Sequence, residues 1–464
     1  MVFSSYAFLF VFLPVFLLVW LVVAGTRAAV PVLLIASWAF YGWWRADFLL
    51  LLLGVTGLGW IGGLVLGRLE PGGRGRARIL TLWIVAALAV LGWFKYAGFV
   101  TENLNALFVA LSLQPLPAPN PVLPLGISFF TFHVVSYLVD VARQRVAAER
   151  SFLRFAAYMA LFPHLIAGPI VRYAEIRRSL DRPRASARGF ARGTLLFVIG
   201  FAKKVLIANN LAPVADAGFA LGDPSFVEAW LAVLAYAFQL YFDFSGYSDM
   251  AIGLGRMIGV RFPINFRAPY RSASITEFWR RWHVTLSRFL RDYVYVALGG
   301  NRRGEGRTRL NLVATMLLGG LWHGAAWTFV LWGLWHGLLL ALERALGRRP
   351  VYASWPRPAR ILATFVLVAI GWVLFRSSSL GEAATMLEAM VTPEPGPMAF
   401  RLLPQPSAWL ALTAAILVTL WAPLPSFWMR HGGPITYAAA LALFWLAVLE
   451  LFGQEFNPFL YFQF

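Results

Sequence analysis

Cysteine is absent from all 464 residues. That excludes a disulfide, palmitoylation and any acyl-cysteine intermediate on this chain. If acyl chemistry takes place here, a thioester arrives on another molecule's sulfur. Charge is scarce as well: 13% of residues are Asp, Glu, Lys or Arg, against 60% hydrophobic and 16% aromatic. No soluble globular domain needs that balance. Period-two alternation is lacking, which argues against a β-barrel. No basic residue precedes the first apolar stretch, Phe8 to Ala24, so it reads as a retained span and not as a cleavable leader. Internal repeats of the kind many transporters show are lacking too. No ligand set with metal spacing is present, so neither a metal nor a permanently bound cofactor is expected.

What remains is apolar sequence in lengths that cross a ~30 Å hydrocarbon core, which predicts an all-α polytopic membrane protein. The net charge of +19 would suggest nucleic acid in a soluble chain. In a membrane chain it reads as basic loops held inside, with anionic lipid as a further partner, and no nucleic acid is expected. Arg68, Arg74, Arg76 and Arg78 cluster in one loop, and residues 141–193 hold eleven arginines. Residues 98–120 and 209–225 hold no Lys or Arg. This alternation predicts about ten crossings, near 6–24, 28–44, 48–67, 79–97, 121–140, 194–212, 226–254, 359–375, 407–424 and 435–452. Both termini are then extracytoplasmic. Residues 155–170 and 311–343 lie between basic loops and must enter and leave on one side, as re-entrant segments or hairpins.

The most informative run is residues 241–337. Asp243 and Asp249 lie in an otherwise apolar span. Ionisable groups there mark a site by default, and a structural pairing with Lys203 or Lys204 is the other reading. Ser274 and Glu277 form a capping box. The apolar spacing from Ile275 to Tyr293 then predicts one amphipathic helix along the cytoplasmic face, with His283 on its inward side. Further on, LLGGLWHGAAWTFVLWGLWHG fills residues 317–337. Gly319, Gly320 and Gly324 are expected to loosen the helix around His323. Histidine is suited to shuttle a proton at neutral pH. Taken alone, His323 reads better as a packed histidine, and His336 thirteen residues on more strongly so.

Longer blocks remove that ambiguity. They are YFDFSGYSDMAIG at 241–253, P-x-N-F at 263–266, ITEFWRRWH-x-TLS-x-FLRDY-x-Y at 275–295, LGGNR at 298–302 and the run at 317–337. PLGISFFTFH at 124–133 and LFPHLIAGPI at 161–170 join them. Together they resemble the membrane-bound O-acyltransferase (MBOAT) family, and within it the alginate O-acetyltransferase (AlgI-like) branch. The resemblance implies a single integral-membrane domain over 1–464, with core motifs at 241–337. It implies a ring of about ten transmembrane helices plus re-entrant segments around a central funnel. It also implies that the histidine of G-x-WHG, His323 here, is essential, and that His283 is a second site histidine.

The expected chemistry follows. His323 would act as general base on an acceptor hydroxyl and return the proton to the leaving thiolate. An oxyanion stabiliser is required, for which Trp322, Trp327 or backbone N–H groups at the helix break are candidates. The donor, acetyl-CoA or an acyl carrier, would be cytosolic and anionic. Arg172, Arg177 and Arg178 in the 172–192 loop could receive it, or could be ordinary inner-loop charge. The acceptor would be an exported polysaccharide, alginate or another glycan, reached through a periplasmic acetyltransferase partner at a bacterial inner membrane. The aromatic tail, 455–464, ends FLYFQF. Relatives that transfer D-alanine work with a small peptide of the same F-x-Y-F-x-F pattern. The tail is expected to fold back, either as a plug or with the Tyr461 phenol as an acyl relay. Two other functions compete: ion-coupled transport of a sugar or lipid-linked glycan, which the charges at Asp243, Asp249, Lys203 and Lys204 would suit, and acyl transfer to lipid or protein.

Overall fold

A computed structural model of the chain describes residues 1–393, 405–454 and 459–460. Among them there is no strand. Tyr461 and the rest of the tail, 455–458 and 462–464, lie outside the described residues. The chain forms two compact units, residues 1–193 with 254–263, and residues 194–253 with 264–464.

The first unit carries α1 (Ala7–Val23, opening with a π-helical turn over Ala7–Phe12), α2 (Ala29–Gly42), α3 (Asp47–Arg68), α4 (Arg74–Ala110) and α5 (Ile127–Ala142). The short helices α6 (Phe152–Ala160), α7 (Phe162–Leu165) and α8 (Tyr173–Asp181) follow. Phe12, Phe16 and Phe40 close around Phe162, with ring centroids 5.2 to 5.6 Å away. The hydroxyl of Ser37 accepts the Phe162 N–H at 3.1 Å. The stretch 155–170, expected as a re-entrant segment or hairpin, holds two short helices tied to α2 through Phe162.

α9 (Ala187–Ala202) runs into a π-helical turn, Lys203–Ala208, and on into α10 (Asn209–Phe219). α11 (Phe226–Met257) follows. The second unit then holds α12 (Ile275–Arg281), α13 (Val284–Phe289), α14 (Gly304–His323), α15 (Trp327–Ala345), α16 (Arg357–Arg376), α17 (Leu380–Ala389), α18 (Pro406–Trp421), α19 (Pro425–His431) and α20 (Pro434–Gly453).

Five of these helical runs are long and apolar enough to cross a membrane: Asp47–Arg68, Arg74–Ala110, Ala187–Phe219, Arg357–Arg376 and Pro434–Gly453. A sixth is α18 with α19, bent by 69° at their break, if the pair is one span. The sequence reading counts ten. Part of the difference is length: α2 has 14 residues, or about 21 Å of helix, short of the ~30 Å core. The chain is an all-α, polytopic membrane protein.

Two local features set up the second unit. A Cβ on Gly200 would lie 2.4 Å from the Gly246 carbonyl, and one on Gly246 2.6 Å from the Gly200 carbonyl. Only glycine lets α9 and α11 meet this closely. Just past that crossing the π turn begins. Lys203 pairs with Asp249 (2.6 Å) and its neighbour Lys204 pairs with Asp243 (2.8 Å). Both acids lie on α11, six residues apart. A π turn inserts an extra residue and shifts which side chains share a face, which suits two consecutive lysines reaching one helix. The stretch 311–343 forms most of the hairpin α14–α15. Contrary to the expectation, Gly319 and Gly320 do not loosen α14, which stays helical to His323, and the chain breaks one residue later. At Gly324 a Cβ would meet the Phe329 ring at 2.0 Å. The glycine of the W-H-G motif thus leaves room for the aromatic ring that closes the turn.

Candidate active site

The expected single helix over Ile275–Tyr293 is broken in the middle. α12 ends at Arg281, His283 takes a left-handed conformation (φ 41°), α13 starts at Val284, and a π turn spans Leu290–Tyr295. A non-glycine residue with positive φ is uncommon and costs on the order of 1–3 kcal/mol unless its surroundings hold it there. Here they do. The Arg267 N–H donates to the Arg281 carbonyl (3.0 Å), and the Val284 N–H to the Asn265 carbonyl (2.9 Å). The P-x-N-F segment is therefore tied to the break on both sides of His283. At its start, α12 is held by Ser274, whose hydroxyl accepts the Glu277 N–H at 3.0 Å, as the capping box predicts. The Glu277 carboxylate, however, reaches back to the Ala273 N–H (2.8 Å). The buried Glu343 carboxylate takes the Ile275 and Thr276 N–H groups, at 2.7 and 2.9 Å.

The break puts the His283 imidazole in a fully buried place. Its Nδ1 lies 3.1 Å from Asn265 Oδ1. That oxygen also accepts the Thr285 hydroxyl (2.9 Å) and the Thr285 N–H (3.3 Å). The Asn265 amide nitrogen donates to the Ser248 hydroxyl at 3.1 Å. With the amide oriented from both ends, its oxygen can only accept. His283 therefore carries its proton on Nδ1 and presents a lone pair on Nε2. Nε2 has no hydrogen-bond partner among the described residues. A buried polar atom without a partner is costly, and is a place for a substrate atom.

His323 is the last residue of α14 and is 5% exposed. Its ring lies 4.9 Å from Trp322, 5.1 Å from Trp332 and 5.0 Å from Phe375. Trp322 in turn lies 6.2 Å from His283. The two histidines thus flank one indole, within the second unit. The Phe244 ring stands edge-on to His283 at 4.6 Å.

The remaining expected residues separate. Trp327 is 53% exposed at the start of α15. The indole that packs on His323 from α15 is Trp332, which sequence reading passed over, as it did Phe375 and Asn265. Asn265 had a signal, since it is the N of P-x-N-F, but no role followed from the pattern. His336 sits in the second W-H-G with its Nδ1 accepting from Trp279 Nε1 at 3.3 Å, and its buried Nε2, like that of His283, has no hydrogen-bond partner among the described residues. Asp243 and Asp249 are ion-paired with Lys204 and Lys203 as described, the structural pairing that the sequence also offered. Arg172, Arg177 and Arg178 belong to the first unit, at the cap and on the body of α8. α8 is anchored by Tyr173, whose ring packs on Tyr158 at 5.2 Å and whose hydroxyl donates to Glu149. Burial and the Glu149 carboxylate push that phenol's pKa upward, so it stays protonated. Among the described residues no group of three or more His, Cys, Asp or Glu is arranged to hold a metal.

The family model for MBOAT, membrane-bound O-acyltransferase family, matches residues 76–380. The chain is 45% identical over 491 residues to the probable alginate O-acetylase AlgI of Pseudomonas putida, with 100% of each chain covered. It is 52% identical over 393 residues to the protein of the same name from Pseudomonas aeruginosa, covering 84% of this chain and 75% of that one. The peptidoglycan O-acetyltransferase of Helicobacter pylori is 38% identical over 426 residues, covering 84% of this chain and 80% of that one. The chain belongs to the membrane-bound O-acyltransferase family and is an O-acyltransferase carried by a membrane.

Proposed function

We propose that the chain moves an acetyl group from a cytosolic thioester, acetyl-CoA or an acyl carrier, toward hydroxyls of an exported polysaccharide. The observation that carries this reading is the pair His323 and His283 on either side of Trp322, with a lone pair left open at His283 Nε2. The names of the relatives supply the acetyl group and the glycan class. In the step, His323 takes the proton of the acceptor hydroxyl as its oxygen bonds to the thioester carbonyl carbon. The C–S bond then breaks and the thiolate takes that proton back. The lone pair on His283 Nε2 accepts a hydrogen bond from the incoming hydroxyl and aligns it. Arg172, Arg177 and Arg178 supply positive charge for an anionic donor, and a separate extracytoplasmic acetyltransferase completes delivery to sugar.

Asn265 is a positioning residue in this scheme. Replacing it by leucine keeps its backbone bond to Val284 but leaves the His283 tautomer unfixed. Asn265→Leu is expected to lower transfer by about 10–100-fold, the usual size of such an orienting contact. Asn265→Asp keeps an acceptor oxygen and should recover part of the loss. Rates measured beside melting temperatures check this, since a purely structural role would make both variants melt early and act alike.

The reading as a whole is tested in a deletion strain by ester-linked acetate on the cell-surface polysaccharide, with thioester consumption measured in membranes. Wild type should restore the acetate and consume thioester in proportion. Restored glycan export without thioester consumption would instead make the chain a transporter. Thioester consumption with label ending in lipid or protein would move the acceptor out of the polysaccharide class.

A further inference from the structure

The Lys204–Asp243 pair has a third member. Lys204 Nζ lies 2.8 Å from Asp243 Oδ1, with both side chains almost fully buried. The other carboxylate oxygen, Oδ2, accepts the backbone N–H of Leu460 at 2.7 Å. Leu460 is separated from Asp243 by 217 positions in sequence. Its neighbour Phe459 is buried, stacked on Tyr247 at 4.7 Å and tilted against Phe244 at 5.6 Å. Phe244 is the ring that stands edge-on to His283. Upstream, Gln454 just past α20 is bound to the same π turn region. Its amide nitrogen donates to the Val205 carbonyl (3.4 Å), and its amide oxygen accepts from Asn209 (2.9 Å).

We infer that Asp243, held by Lys204, is a clamp that docks Phe459 and Leu460 of the chain's own aromatic tail beside the His283 side of the site. This rests on the proposed function, because it makes Asp243 a positioning residue for that reaction. The physics is reciprocal. A backbone N–H within apolar surroundings needs an acceptor, and a buried carboxylate with one cation still has an oxygen to satisfy. Each supplies what the other lacks. The π turn matters because it sets Lys204 on Asp243 while Lys203 holds Asp249, so the clamp is a separate pair from its neighbour. The Phe459 stack adds apolar contact but no direction. The hydrogen bond to Asp243 fixes the register of Phe459 and Leu460 against α11, and a shift of one residue would turn Phe459 out of its place against Tyr247.

The lack of native cysteine makes the test clean. Leu460→Cys keeps the backbone N–H and gives a single thiol, read in the purified full chain by the rate of labelling with a membrane-impermeant maleimide. In the parent this labelling should be slow. In Lys204→Met/Asp243→Leu, where a neutral apolar pair replaces the ion pair, it should rise by about tenfold or more, as expected for losing a hydrogen bond to a charged group. Acyl transfer should fall in kcat in the same variant. In Lys204→Met/Asp243→Asn an acceptor oxygen remains, and labelling should stay slow. An ion pair with a merely structural role would make the two double variants behave alike, and that result overturns the inference. Phe459→Ala in the Leu460→Cys background is independent of the ion pair and should also speed labelling. Slow labelling there, or fast labelling in the parent, overturns docking itself. His323→Ala should leave labelling slow. If the labelling pattern holds but no variant, nor the parent, ever transfers acetate, the clamp stands and the proposed function falls.

Discussion

His323→Ala is expected to lower acyl transfer by roughly 10²–10⁴-fold, the range that a positioned general base supplies. The ring it removes is packed against Trp322, Trp332 and Phe375, so alanine also leaves a cavity. His323→Gln fills more of that space and cannot take the proton, and it should lose as much activity while melting closer to wild type. The contrast is His336. It sits in the second W-H-G of the hairpin, but its Nδ1 already accepts from Trp279 and its ring stacks near Phe278 at 6.2 Å. His336→Gln should lower the melting temperature and leave measurable transfer. Single-turnover rates with a labelled thioester, beside thermal melts of the same preparations, separate the two. Equal loss of transfer in both variants, each melting like wild type, would remove His323 from the role of base.

Composition made the class readable. Long apolar runs and the lack of charge leave a helical membrane protein as the one economical solution, and the motif blocks gave the family. Residue patterns served less well where geometry is set by breaks. An amphipathic period continues through Trp282, His283 and Val284, so the sequence reads one helix from Ile275 to Tyr293. What breaks it is a tertiary contact, the backbone bonds from 265–267, and no local signal marks it. The same holds for Lys203 and Lys204. Neighbouring residues on an α-helix point about 100° apart, so two lysines pairing with acids on one helix looks unlikely until the π turn is seen. The sequence marked two histidines and an indole, Trp322, which the structure places side by side. The site was not legible as the Asn265 contact that fixes a tautomer, because hydrogen-bond partners 18 positions apart leave no periodic trace. Trp327 and Trp332 show the same limit. Both are tryptophans of one helix, and only its rotation decides which one faces His323.

Tyr461→Phe is the substitution expected to separate the two readings of the tail. It follows Leu460, whose N–H is held by Asp243. In the relay reading, the Tyr461 phenol takes the acetyl group first, giving up its proton to His323 as the C–S bond of the donor breaks. The phenyl ester so formed has a leaving group of pKa near about 10, well below that of a sugar hydroxyl, so it can pass the acetyl group on without another energy source. On a chain without cysteine, a phenol is one side chain that can carry an acyl group in activated form. Phenylalanine keeps the ring and removes only the hydroxyl, so the tail should dock as before and Leu460→Cys should still label slowly. Ester-linked acetate on the polysaccharide should nevertheless disappear, as completely as in His323→Ala. With the acceptor withheld, wild type should accumulate a covalent acetyl group on Tyr461 that mass spectrometry detects, and His323→Ala should not. Acetate restored by Tyr461→Phe at the wild-type level would reduce the tail to a plug and send the acetyl group directly from the thioester to an outside hydroxyl.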